Sequence, residues 1–255
     1  MNVDPVVERL SRDFTARDVM TPRQHLVRAA DERDALALLD QHRESDVILI
    51  ERDGVLTAYV EQGTSRAREI GVADVVCDAT SILDLVETLR EWRFCFVLGS
   101  REIVGYVRFS DVSSHVVKLP LFVLLEAVES VLADRLRPKV TEATLDEAAA
   151  ARFVDASVPS RIRKTVARVR EGRADRGYVE FLGFGELLRL AVYFGMIDIS
   201  EDVIKRVKGV RDGVCHAKLA LVMKHDDVRC LSEARHTCLS VLGACLRSAG
   251  STSAG

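Results

Sequence analysis

Arg211, Asp212 and His216 fall within six residues of one another, in the run KRVKGVRDGVCHAKLALV from Lys205 to Val222. The run brings a permanent cation, a carboxylate and a group that titrates near neutrality into one short stretch. A histidine can move a proton in either direction at neutral pH, and an arginine holds a developing oxyanion without losing its charge. Spacing argues against a site made by one straight helix, because five positions turn two side chains roughly 140° apart. Convergence requires a helix that starts or bends at Gly209 or Gly213, or a second copy of the chain.

A second set of chemically capable residues lies earlier. Gly105, Arg108, Ser110 and Asp111 form the run GYVRFSD. An aspartate accepts hydrogen bonds from a pair of sugar hydroxyls, and an arginine pairs with a phosphate. The same Asp111 and Ser110 serve equally well as N-terminal caps of a following helix, and Arg108 as a solvated strand-edge cation. A third set is basic: Arg161, Lys164 and Arg168 share one helical face by three- and four-residue spacing, with Arg173 and Arg176 following. Such a face suits a phosphate backbone, or simply water. Cys230, His236 and Cys238 have no recognised metal-ligand spacing, so no metal is expected.

The elements that must carry these residues fall into two kinds. Up to about residue 116 the pattern is a repeat. Asp31 opens a helix and Asp46–Glu51 (DVILIE) is a continuous apolar run suited to a strand covered on both faces. Asp53-Gly54 turns the chain into a partner strand from Val55 to Val60, and a short helix is expected over Thr64–Ile70. The order then recurs with a helix over Ile82–Leu89, strands Phe94–Leu98 and Ile103–Val107, and a helix starting at Ser110. Two such β-α-β-β-α units would pair with a cleft between them, a favoured place for small molecules.

From Leu119 the signals are helical only. One helix is expected over Leu119–Leu136, and a capping box Thr144–Glu147 introduces another. Ser160 is expected to cap a helix from Arg161 to about Arg173, Tyr178–Phe194 to form a central buried helix, Ser200 to cap the helix leading into Arg211, and Val228–Leu246 to close the unit. The fold class expected is therefore α+β followed by an all-α helical bundle. Residues 1–12 read as an exposed lead-in and 248–255 as a disordered tail.

Bulk properties exclude several classes. The 255 residues are 48% apolar and 29% charged with a net charge of −3, which fits a globular chain and not a uniformly basic nucleic-acid binder. No secretory leader or membrane-length apolar run is present, so a cytoplasmic location and no membrane partner are expected.

The runs ARDVMTP (Ala16–Pro22) and GYVRFSDV (Gly105–Val112) resemble the opening and closing signatures of a tandem CBS domain pair, covering residues 13–116 with repeats of about 13–70 and 71–116. The resemblance implies an adenine nucleotide, AMP or ATP, as a regulatory ligand, met by Gly105, Arg108, Ser110 and Asp111. Arg108 stands where the family has threonine. In the first repeat, Ala58 and Thr64 replace the glycine and aspartate, and Glu61 would repel a phosphate, so at most one cleft is expected to be competent.

Residues 119–247 resemble HEPN domains, through VKGVRDGVCHAKLALV and the apolar FLGFGELLRL before it. The direct passage from SDV into LPLFVLLEAVE also resembles a group of bacterial CBS-domain proteins. These resemblances imply a homodimer whose Arg211, Asp212 and His216 line one cleft. Active HEPN members cut RNA without metal, with His216 moving the proton and Arg211 holding the phosphate; Glu126 would be a further polar group. Other members only dimerise or bind. Lys218 stands where some toxin members carry a modified tyrosine. Three functions follow as expectations: a nucleotide-responsive regulator of a dimeric helical domain, a nucleotide-gated endoribonuclease with RNA held by Arg161, Lys164 and Arg168, and a non-catalytic oligomerisation module.

Overall fold

The computed structural model describes residues 13–43, 45–171, 177–216 and 220–250; the expected lead-in, Arg173, Arg176, Lys218 and residues 251–255 lie outside them. The chain divides into two units. One holds residues 13–118 and 222–228; the other holds the remaining described residues from 119 onward.

The first unit is α+β. Its elements are α1 (Ala16–Val19), β1 (Thr21–Pro22), β2 (Arg28–Ala29), α2 (Glu32–Gln41), β3 (Val47–Arg52), β4 (Val55–Glu61), β5 (Arg68–Glu69), β6 (Val75–Cys77), α3 (Ile82–Glu91), β7 (Phe94–Leu98) and β8 (Ile103–Arg108). They make two four-stranded sheets, ordered β2-β3-β4-β5 and β1-β8-β7-β6. Each hairpin is antiparallel, and β2 and β6 run parallel to β3 and β7. The repeat is exact enough to set matching registers: Thr21 sits opposite Tyr106 as Arg68 sits opposite Tyr59.

Period-two alternation with both faces covered explains why β3 is apolar from Val47 to Ile50. Ile48 and Ile50 pack with Ala35 and Leu39 of α2, while Val47 and Leu49 join Tyr59, Phe96 and Tyr106 in a second cluster. Aromatic edges fill that cluster, with Tyr59 and Phe96 centroids 5.2 Å apart. The β3–β4 turn holds Asp53 and Gly54 at φ 52° and 79°, the left-handed pair that a two-residue hairpin requires. Asp31 and Ser81 cap α2 and α3, each accepting from the amide three residues on.

Two expected helices differ. Thr64–Ile70 contains β5, because Arg68 and Glu69 pair with Tyr59 and Ala58; edge pairing outweighs the weak local helical pattern. The segment after β8 is first a 3₁₀ turn, Phe109–Ser113, and the α-helix begins at His115.

Among the described residues the second unit contains helices and one 3₁₀ turn. Its helices are α4 (His115–Leu136, entered from the first unit), α5 (Glu142–Ala150), α6 (Val158–Glu171), α7 (Phe184–Tyr193), α8 (Glu201–Cys215) and α9 (His225–Gly250). α5 packs on α6 and α7 on α8. Leu121, Leu124, Leu125, Val128, Leu132 and Leu136 bury one side of α4. Thr141, not Thr144, is the N-cap of α5: the two threonines exchange hydrogen bonds, Thr144 amide to Thr141 Oγ1 at 3.2 Å and Thr141 amide to Thr144 Oγ1 at 2.8 Å. α6 begins before Ser160. The stretch expected as one helix from Tyr178 is broken at Leu182-Gly183, where Glu186 folds back to accept from the Gly183 amide. α9 extends beyond both expected ends. No described helix is long and apolar enough to cross a membrane.

Candidate functional site

Arg108 ends β8 and reaches into a cleft of about 190 Å³ in the sheet unit, whose wall includes Thr21, Leu26, Val27, Asp46 and Tyr106. Tyr106 is buried, and burial, reinforced by the Asp46 carboxylate, raises its phenol well above the ordinary range. Its hydroxyl points at Asp46 Oδ2, 3.5 Å away. Arg108 spans between two carboxylates at long range, Nη1 lying 3.8 Å from Asp46 Oδ2 and Nη2 3.5 Å from Asp111 Oδ1. Its Nε is buried and has no hydrogen-bond partner. A half-exposed guanidinium held only by long contacts, with one donor unmet, is disposed to take an anion.

Gly105, Ser110 and Asp111 are not part of the cleft wall. Gly105 faces Pro22 in the neighbouring strand, and a Cβ there would stand 2.4 Å from Met20 Sδ and 2.9 Å from the Thr21 carbonyl oxygen, so close strand approach accounts for the glycine. Asp111 Oδ2 accepts from the Arg108 amide at 2.8 Å, capping the 3₁₀ turn. Ser110 is exposed. Asp46 and Tyr106 were not singled out by the sequence; Asp46 could be marked as the polar residue that opens an otherwise apolar strand, pointing to the sheet end.

The repeat places a second constellation in the matching position, and it is filled from within. Arg68 lies 3.2 Å from the buried Asp74 carboxylate, with its guanidinium 5.9 Å from the Tyr59 ring centroid and 5.8 Å from that of Trp92. Burial, then the Asp74 charge, pushes the Tyr59 phenol up to about 12. A side chain of the protein thus occupies the space between the aromatic faces.

The turn after Arg108 carries further contacts. Ser113 Oγ donates to the Val222 carbonyl at 3.0 Å and accepts from the Val222 amide at 2.9 Å. The Phe109 ring stands edge-on to His225, with centroids 5.7 Å apart. His225 Nε2–H donates to the Leu89 carbonyl at 2.8 Å, with that of Trp92 3.2 Å away. Residues 222–228, which precede and open α9, are thereby fixed to the sheet unit.

In the helical unit the Arg211 group takes a different form from the expected one. α8 runs unbroken through Gly209 and Gly213, so neither glycine starts or ends the helix, and His216 is the extended residue at its C-terminus. Arg211 Nη2 faces Glu129 Oε2 of α4 at 3.7 Å, and its Nε is buried without a hydrogen-bond partner. Burial raises the Glu129 carboxyl above the ordinary range, and the Arg211 charge opposes that rise. Asp212 is held by Lys208 one turn back at 2.6 Å and stands 3.8 Å from Arg211, too far to orient it.

The basic residues of α6 are also divided. Arg161 clasps both oxygens of Glu186, at 2.6 and 2.7 Å, and reaches the Phe181 carbonyl. Lys164 and Arg168 are exposed, without an ion pair among the described residues. His236 Nδ1–H donates to the Ser232 carbonyl at 2.9 Å, and burial pushes the Cys238 thiol up to about 12. Among the described residues no group of three or more His, Cys, Asp or Glu side chains is placed to hold a metal.

No family model matches the sequence, and no curated protein matches it. Solved structures to which the chain is similar include CBS domains. One is the CBS domain of a bacterial CNNM/CorC family Mg2+ transporter in complex with ATP, at 18% identity over 42% of this chain and 90% of that one, TM-score 0.32. Another is CBSX2 in complex with AMP, at 22% identity over 39% and 92% of the two chains, TM-score 0.33. A third is a conserved CBS domain protein from Thermoplasma acidophilum, at 14% identity over 39% and 67%, TM-score 0.33.

Proposed function

We propose that this protein is a nucleotide-responsive regulator whose sheet unit, a CBS pair spanning about residues 13–116, binds one adenine nucleotide in the Arg108 cleft. The single observation that carries this reading is the loosely held Arg108, with an unmet buried Nε, beside the Asp46 carboxylate. Arg108 would take a phosphate, and Asp46 would accept from ribose hydroxyls. The cleft, at about 190 Å³, is smaller than the roughly 300–1,000 Å³ of ligand pockets. Binding therefore requires the Arg108 side chain to swing outward onto the phosphate, releasing Asp46 and Asp111. Asp111 caps the turn that carries Phe109 and Ser113, and those residues hold segment 222–228. Occupancy of the cleft would thus be felt at the start of α9.

The helical unit, 119–247, is in this reading a HEPN-like output module that pairs with a second copy. Arg211 and Asp212 already have counter-charges in Glu129 and Lys208, which favours a binding or dimerising role over RNA cleavage. Titration calorimetry of the full chain with AMP, ADP and ATP tests the sensor. Saturable binding to at least one is expected, about tenfold weaker or more in Arg108→Ala and in Asp46→Ala. Absence of binding by folded protein to all three would refute it.

A further inference from the structure

The sheet unit holds a second and larger cleft, of about 870 Å³, that shares no wall residue with the Arg108 cleft. It lies between the two hairpins, Arg52, Val55 and Leu56 coming from β3–β4 and Leu98, Arg101 and Ile103 from β7–β8. Both hairpins shift register where they line it, between Ile50 and Glu51 and between Val97 and Leu98. Bulges of this kind bend a strand and re-aim its side chains.

The wall chemistry is amphipathic. Val55, Val72 and Leu98 are 59%, 91% and 39% exposed on this one cleft, above buried Leu56 and Ile103. Apolar side chains concentrated in one concave surface mark a place for an apolar partner. No aromatic side chain is among the wall residues, so nothing there would stack a base. Arg52 and Arg101 are exposed and make no ion pair among the described residues. Of the acids on the wall, Glu102 is bonded to Arg23, whose other arm donates to the Gly54 carbonyl at 2.8 Å; Glu69 remains. The net charge offered to a ligand is positive.

We propose that this cleft binds an aliphatic monocarboxylate, its chain along Val55, Val72 and Leu98 and its head paired with Arg52 and Arg101. The two guanidiniums sit on the two hairpin tips, so a bound head group would tie the tips together.

Decanoate is the probe, titrated calorimetrically into the full chain below its micelle concentration, with circular dichroism and thermal melting as controls of fold. Saturable binding is expected for the unmodified chain. Arg52→Ala/Arg101→Ala and, separately, Val72→Asp should each weaken it about tenfold or more, with melting unchanged. No saturable binding to the unmodified chain, or equal affinity in all three proteins, would overturn the assignment. All three substitutions are at exposed side chains, so loss of binding would not reflect loss of fold.

Discussion

One hydroxyl, Ser113 Oγ, satisfies both backbone groups of Val222, donating to its carbonyl at 3.0 Å and accepting from its amide at 2.9 Å. Val222 is nearly fully buried, so neither group has water as a substitute. Removing the hydroxyl leaves a donor and an acceptor unmet at once. Ser113→Ala should cost about 1–3 kcal/mol and speed amide exchange over residues 222–228 while leaving β3 and β7 protected. Hydrogen exchange read by mass spectrometry checks this; uniform exchange changes across the sheets would refute a local clamp.

Gly105 answers to packing. A methyl group there would meet Met20 Sδ at 2.4 Å and the Thr21 carbonyl at 2.9 Å. The methionine can move, but the backbone of β1 must shift. Gly105→Ala should lower stability by about 1–3 kcal/mol through overpacking, measured by urea unfolding. Unchanged stability, with weaker nucleotide binding, would instead assign Gly105 to the ligand.

Arg211 and Glu129 form a half-buried pair whose members are remote in sequence. Arg211→Met leaves Glu129 without its counter-charge, so that burial and then the Glu126 charge raise its carboxyl unopposed. Such a substitution should destabilise by about 1–3 kcal/mol, and Arg211→Met/Glu129→Gln should recover part of the loss. Additive effects in the double-mutant cycle would show that the pair is not coupled.

Glu201 is held below the ordinary glutamate range, chiefly by its hydrogen bond from Arg189 and against the opposing effect of burial. A lowered folded-state value means that the pair's stabilisation is present above the unfolded value and is lost as pH falls through the folded one. Because the groups are partly exposed, its size is at most about 1 kcal/mol. Glu201→Gln should therefore lower the melting temperature slightly at neutral pH and flatten the acid-side decline. An unaltered pH profile would show that the pair contributes nothing.

Helix starts at Asp31, Ile82 and Ser200, the apolar strands DVILIE and FCFVL, and the Asp53-Gly54 turn are all legible in the sequence, because each rests on local chemistry. A capping side chain bonds an amide three residues away, a left-handed turn needs residues that tolerate it, and an apolar run must be covered. β5 was less legible: Arg68 and Glu69 are strand only because Ala58 and Tyr59 offer an edge to pair with.

The site depended on tertiary structure far more. GYVRFSD contributes Arg108 and Tyr106 to the cleft, yet Gly105 and Asp111 serve strand approach and turn capping, and Asp46 completes the wall from a distant segment. The pattern of charges near Arg211 was plain in the sequence. That Arg211 would be matched by Glu129, or Arg68 lodged between Tyr59 and Trp92, was not. Local sequence determines which segments form and what chemistry each carries. Which charge meets which counter-charge is decided by packing, because a side chain's partner is whatever the fold brings within a few ångströms of it.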